Sequence, residues 1–120
     1  MKYILIMLLL TVAGTDHAYA QKPKNGTYVY QVAFDEWGGR SHGATVLVKI
    51  KGDSIYVIHN GGNLSGKKGE IIDSGIIMKH RKSGAWIIGH TPADKDAPEV
   101  GGCSDGPSVI DFKRKKFRLC

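Results

Sequence analysis

From residue 27 onward the chain is a succession of short apolar runs in which polar residues tend to recur at every second position. Thr27 to Phe34 alternates, with Tyr28, Tyr30, Val32 and Phe34 on one face, the period of a half-buried strand. Ala44 to Lys51 and Ser54 to His59 flank Gly52-Asp53, a two-residue link suited to a primed hairpin turn. In that register Ile50 faces Ile55, Val48 faces Val57 and Val46 faces His59 on one side of the sheet. Lys49 then meets Tyr56 on the other side, where a lysine stem can lie along a ring with its ammonium in water. After the glycine-rich stretch Asn60 to Lys68, the pattern predicts a short strand over Glu70 to Asp73, a turn or bulge at Ser74-Gly75, and another strand over Ile76 to His80. Lys82-Ser83-Gly84 reads as a three-residue hairpin loop with glycine in the left-handed position. This register places His80 opposite Trp86, Met78 opposite Ile88 and Ile76 opposite His90. Residues 91–107 form the one long irregular segment, in which Thr91-Pro92 is suited to cap and open a helical turn. Ser108 to Phe112 and Lys116 to Cys120 make a final hairpin around Lys113-Arg114-Lys115.

The pattern therefore predicts an all-β domain, a small antiparallel meander of about eight short strands. Such a sheet must dispose of its edges, and pairing the first strand with the last into a closed or partly open barrel does so; a two-sheet sandwich is the alternative. Composition points the same way. Over residues 21–120 Ile and Val together number 17 while Leu and Ala number 8, and branched side chains suit a pleated surface better than a helix. Glycine numbers 15 there, mostly between the apolar runs. No internal repeat or linker divides the segment, so it reads as a single domain over residues 21–120.

The first twenty residues read differently. Met1 and Lys2 give a short positive start, Tyr3 to Leu10 is unbroken apolar sequence, and Ala18-Tyr19-Ala20 has the small-x-small form that precedes a signal-peptidase cut. Residues 1–20 are expected to be a signal peptide, and the protein to be exported, periplasmic or secreted. The apolar run is too short for a membrane span, and no later stretch approaches one. No cysteine follows the expected cut, which argues against a lipoprotein anchor. Cys103 and Cys120 are the only cysteines. In an oxidising compartment they are expected to form one disulfide, holding the last strand to the loop before it.

Cutting before Gln21 removes Lys2 and Asp16, so the net charge of +6 belongs entirely to the remaining chain. The cations gather at hairpin tips and loops: Lys67-Lys68, Lys79 with Arg81-Lys82, and Lys113 to Lys116 with Arg118. Tips of this kind suit an anionic envelope component, such as lipopolysaccharide or a polyanionic glycan, or an acidic protein. A nucleic-acid partner is disfavoured, because Tyr28, Tyr30 and Phe34 are placed to fill the interior and export separates the chain from nucleic acid. Catalytic signals are sparse. His42, His59, His80 and His90 have no metal-ligand spacing, and His59 reads as a strand-end histidine with an ordinary hydrogen bond. There is no Gly-x-Ser-x-Gly elbow, and no pair of carboxylates stands out as facing one another. The glycine pairs Gly38-Gly39, Gly61-Gly62 and Gly101-Gly102 match no phosphate-binding spacing. No catalytic residue, metal site or cofactor is assigned.

The opening Gly26-Thr27-Tyr28, Arg118 in the last strand and a single disulfide give an architecture that resembles lipocalin-like barrels. The strands are shorter than a roomy cup needs, and Tyr28 stands where those proteins usually carry tryptophan, so the resemblance carries no residue over. The reading preferred from sequence is a small exported, non-enzymatic binding or interaction protein whose loops Glu36–Gly43, Asn60–Gly69 and Thr91–Pro107 meet a partner at one barrel end. Its candidate binding residues are Trp37, Arg40, His42, Lys67, Lys68, Lys113 and Arg114. The alternative is a small-molecule carrier with an internal pocket lined by Tyr28, Tyr30, Val48, Val57 and Trp86. A hydrolase using Asp35, Glu36 or a histidine cluster ranks below both.

Overall fold

Alternation turns Tyr28, Tyr30, Val32 and Phe34 to the inner face of β1 (Gly26–Phe34). The same two-residue period builds β2 (Thr45–Lys51), β3 (Ser54–His59), β4 (Ile71–Lys79), β5 (Trp86–Gly89), β6 (Ser108–Asp111) and β7 (Lys116–Leu119). The computed structural model describes residues 21–120; the signal peptide expected over residues 1–20 lies outside the described residues. Each strand is antiparallel to the next, and β1 pairs in parallel with β7, Val32 opposite Phe117. The sheet is a closed barrel, which sets the two-sheet sandwich aside.

Among the described residues there are seven strands and not about eight, because the runs Glu70 to Asp73 and Ile76 to His80 belong to one strand, β4. Ser74-Gly75 does not turn. Gly75 pairs regularly with Ile55 and allows a close approach of β5, since a Cβ there would lie 2.4 Å from the Gly89 carbonyl oxygen. The irregularity lies nearer the strand start. Val57 pairs with Asp73 but Ile58 with Ile71, leaving Ile72 as the extra residue of a bulge. The odd strand count explains the parallel seam, because in an up-and-down meander of seven strands the first and last run the same way.

The β2–β3 hairpin has the predicted register, Val46 with His59, Val48 with Val57, Ile50 with Ile55 and Lys49 with Tyr56 outside. The β4–β5 hairpin departs from prediction by one residue: Lys79, not His80, pairs with Trp86, and Met78 pairs with Ile87. The cause is at the turn. His80 N–H donates to the Ala85 carbonyl while Gly84 N–H donates to the His80 carbonyl, so two residues oppose one. Gly84, at φ 75°, supplies the left-handed residue of that bulge. A one-residue slip exchanges the faces of a strand, and here it puts Ile77 and Ile88 into the core.

The interior is filled by Tyr30, Val32, Val46, Val48, Ile50, Ile55, Val57, Ile77, Ile88, Ile110 and Phe117. Strand direction sorts the connections into two sets. The short turns β2–β3, β4–β5 and β6–β7, with residues 21–25, lie at one end, called the lower. The long connections β1–β2, β3–β4 and β5–β6 leave from the upper end; of the three loops expected to share an end, Glu36–Gly43 and Asn60–Gly69 do, while Thr91–Pro107 also runs down to the β4–β5 turn before returning. The first two are tied together there. Thr45 N–H donates to the Gly61 carbonyl and Asn60 N–H donates to the Thr45 carbonyl, and Gly62 sits where any Cβ would strike the Gly43 carbonyl. The His59 ring is buried among them, with Nε2 3.0 Å from the Leu64 carbonyl and Nδ1 3.0 Å from Gly61 N–H. A carbonyl only accepts and an amide N–H only donates, so Nε2 carries the proton.

The β5–β6 connection opens with a 3-10 helix, Pro92–Asp96, closed by a reciprocal Thr91–Asp94 capping box. It returns along the outside of the β4–β5 hairpin, where His80 Nε2 donates to the Ala97 carbonyl at 2.7 Å and Arg81 N–H donates to the Lys95 carbonyl. Ile87 faces away from the core residue Ile88 yet is fully buried, consistent with cover from this returning segment. The connection ends at the upper rim, where Cys103 is disulfide-bonded to Cys120 directly after β7. Replacing both cysteines by serine is expected to cost about 3 kcal/mol for a loop of this length. Urea denaturation of the double variant tests this, and a loss well under about 1 kcal/mol would mean that the bridge does not hold the seam.

Candidate functional site

The sequence-derived candidates divide between the two barrel ends. Trp37, Arg40 and His42 lie in the β1–β2 connection at the upper end. Trp37 ends a short 3-10 turn, Asp35–Trp37, and its ring tilts over Phe34 with centroids 4.8 Å apart. The His42 ring meets the indole edge-on at 4.4 Å. Trp37 thus caps the barrel while remaining 41% exposed. Arg40 lies beside Phe34 through a backbone bridge, its carbonyl accepting from Phe34 N–H. Lys67 and Lys68 are exposed in the β3–β4 connection at this same end, where Lys67 N–H donates to Glu70. Lys113 and Arg114 are on the β6–β7 turn, at the opposite end.

That lower end concentrates the charge. Its tips carry Lys79, Arg81 and Lys82 on one turn, Lys113, Arg114, Lys115 and Lys116 on a second, and Lys51 on a third, with Lys22 and Lys24 alongside. Three carboxylates partly offset them through the pairs Lys22–Asp53, Arg81–Asp96 and Arg114–Asp111. The hydrogen bond and charge of Lys22 hold the exposed Asp53 carboxyl below its ordinary value. Burial pushes Asp111 up, but hydrogen bonds from the Arg114 backbone and guanidinium outweigh it and leave Asp111 lowered. Asp53 and Asp111 therefore remain anionic across the neutral range, and cations still outnumber carboxylates at that end.

Aromatic rings line the inside of the same end. Tyr28, Tyr30, Phe112 and Trp86 follow one another with centroids 6.4, 6.5 and 5.7 Å apart, and the Lys79 ammonium lies 4.9 Å from the Trp86 ring centre, a cation–π distance. Two clefts meet at this pair. One, of about 670 Å3, runs between the β4–β5 hairpin and the Pro92–Asp96 helix, with Ile76, Met78, Arg81 and Lys95 among its walls. The other, of about 370 Å3, lies toward the β6–β7 turn and includes Phe112, Lys113 and Arg114. Lys79 and Trp86 line both. Sequence reasoning named Lys79 as a tip residue but missed its partnership with Trp86, because the predicted register set His80 there. Gly84 was the available signal, since a left-handed glycine at that loop position can add one bulged residue.

Residues considered for hydrolysis are engaged separately. Asp35 accepts from the Arg118 guanidinium at 2.6 Å. His59 and His80 are each bound to loop backbone, His90 faces Asp73 at 3.1 Å, and His42 packs on Trp37. Among the described residues no group of three or more His, Cys, Asp or Glu side chains is placed to hold a metal ion, and no helix is long and apolar enough to cross a membrane. Of the residues expected to line a carrier pocket, Tyr30, Val48 and Val57 are buried in the core, and Tyr28 and Trp86 pack against its lower edge. No family model, curated protein or solved structure matches this chain, which leaves its own side chains as the basis for a functional reading.

The Tyr30 hydroxyl gives this end a titration signature. Burial first, then the neighbouring Tyr28 and Asp111, push its pKa from 10.0 to about 12. Stability is intact below pH 10; above it the unfolded chain ionises this phenol while the folded chain does not. Between about pH 10 and about pH 12 the fold should lose roughly 2 to 3 kcal/mol from this group. Tyr30→Phe should lack that share of the loss in alkaline urea titrations. Parallel curves for variant and wild type would exclude the assignment.

Proposed function

We propose that this protein is a small exported, non-enzymatic binding protein that takes an anionic partner on the lower end of the barrel. The observation that carries the reading is the convergence of three lysine- and arginine-bearing turns on one end, around the Lys79–Trp86 pair and its two clefts. A surface of this sign attracts polyanions over a Debye length and holds them by multiple weak contacts. The preferred partner is a multiply charged envelope component, a phosphate- or carboxylate-bearing glycan or lipopolysaccharide; an acidic protein is the other class that fits.

Lys115 supports the reading. It adopts φ 57°, a left-handed conformation that costs a residue with a Cβ roughly 1–2 kcal/mol. Glycine or asparagine is the usual occupant of such a turn position, and this chain has lysine there, between Arg114 and Lys116. Charge thus stands at the tip against local backbone preference, a pattern expected where the charge serves binding.

Lys82→Glu with Lys113→Glu should weaken binding of a phosphorylated polysaccharide by about tenfold or more at low salt. The wild-type affinity should fall steeply as salt is raised, while Lys67→Glu with Lys68→Glu at the other end should leave it nearly unchanged. Titration calorimetry with the polysaccharide, and separately with a polyglutamate peptide, distinguishes the partner classes; equal losses from both pairs of variants would refute a site at the lower end. Lys115→Gly should raise stability by up to about 1 kcal/mol while lowering affinity, and a variant that is stabler with unchanged affinity would remove Lys115 from the site.

A further inference from the structure

The outer wall of the barrel carries a feature that the basic end does not explain. Outward positions of β1 to β4 are expected to be polar wherever that face meets only water. Instead, Val29 of β1 pairs with Leu47 of β2, Leu47 with Ile58 of β3, and Ile58 with Ile71 of β4. An unbroken apolar row thus crosses four neighbouring strands. The Ile72 bulge completes it by sending Ile72 toward the core and Ile71 outward. Cross-strand pairing alone would favour such a row, but its ends are not covered, with Val29 60% and Ile71 61% exposed. Tyr56, also exposed, extends the patch by one outward position along β3.

Charge on this wall has one sign. The outward residues of β1 to β4 include Lys49 and Lys51 and no carboxylate; Asp53, in the adjoining turn, is paired with Lys22. Lys49, Lys51, Tyr56, Ile58 and Ile71 together line a shallow cleft of about 360 Å3, which sets two lysines beside apolar side chains. An apolar strip beside lysines, with a tyrosine at their boundary, matches the interface of an anionic bilayer, where side chains enter the acyl boundary and ammonium groups meet phosphate. A second copy of this chain fits less well, because facing walls would bring lysines of both copies together on chains of net charge +6.

We infer that the outer wall of β1–β4, through Val29, Leu47, Ile58, Ile71 and Tyr56 with Lys49 and Lys51, docks on the surface of an anionic phospholipid membrane. This surface is the side of the barrel and shares only Lys51 with the basic end, so variants at Val29, Ile71 and Lys49 test it separately from variants at Lys82 and Lys113.

Vesicle flotation of residues 21–120 tests it, using phosphatidylcholine vesicles with and without phosphatidylglycerol. Wild type should float with the anionic vesicles and remain free of the neutral ones. Val29→Thr with Ile71→Thr keeps branched strand-forming residues and should reduce partitioning by about tenfold, with circular dichroism unchanged. Lys49→Gln and Lys51→Gln should each reduce it by about fivefold, whereas Lys82→Glu with Lys113→Glu should retain most of it. The inference is overturned if wild type binds neither vesicle, or if the folded threonine variant binds as wild type does. It is also overturned if only the lower-end variant loses binding, or if sedimentation equilibrium shows a dimer that the threonine pair abolishes while vesicles stay unbound.

Discussion

The parallel ladder between β1 and β7 joins the two ends of a meander that would otherwise present two open strand edges, and the ladder is short. It runs only from Gln31 opposite Lys116 to Phe34 opposite Leu119, because the first half of β1 is paired with β2 alone. A seam of this length is vulnerable to fraying, and the structure reinforces it from three directions. Phe117 lies in the core beside Val32 and Ile110, the Arg118 guanidinium reaches Asp35 across the seam, and Cys120 is bound to Cys103 just beyond β7. Burial, a charge-assisted hydrogen bond and a covalent bond thus act on the same few residues, each limiting the opening that would expose the others.

Closure also explains the polarity of the molecule. Hairpin connections in a meander alternate between the two ends, so all the connections that happen to be long share one end and all the short ones share the other. At the upper end glycine serves packing: Gly62 lies against the Gly43 backbone and Gly102 against the Asp35 carboxylate. Those loops form a tied cap. At the lower end the turns are brief, their side chains stand in water, and nothing in their packing opposes lysine and arginine. Concentrated charge at that end is compatible with the fold because the tips contribute little to the core.

Two single-residue bulges shape the outer and lower surfaces without disturbing the closed sheet. The bulge at Ile72 aligns Ile71 with the apolar row on the barrel wall. The bulge at Gly84 and Ala85 brings Lys79 opposite Trp86 and leaves His80 as the single residue opposing the bulge. His80 then holds the returning β5–β6 connection through the Ala97 carbonyl and is only 2% exposed. A change of one residue in register is small in backbone terms, yet it reverses which side chains face the core and which face outward.

Much of the local structure was legible in the sequence. Period-two alternation identified the inner face of β1, the β2–β3 register and the final hairpin, since each rests on neighbours a few residues apart. Thr91-Pro92 announced its capped turn, and the cysteine pair its bridge. The strand count was not legible, because a glycine that ends a strand and a glycine that lets another strand approach look alike until Gly89 is seen beside Gly75. The candidate site was legible only in part. The cationic tips could be read residue by residue, but Trp37, Arg40, His42, Lys67 and Lys68 could not be separated from Lys113 and Arg114 without strand directions. The sequence by itself determined that this chain alternates into strands, turns at most of its glycines and carries much of its charge at the turns, because those properties are local. Tertiary structure alone decided that seven strands close with a parallel seam, that three basic turns meet at one end and that four apolar residues align on the wall. Those relations depend on contacts between distant segments, and a one-residue shift in pairing changes them all.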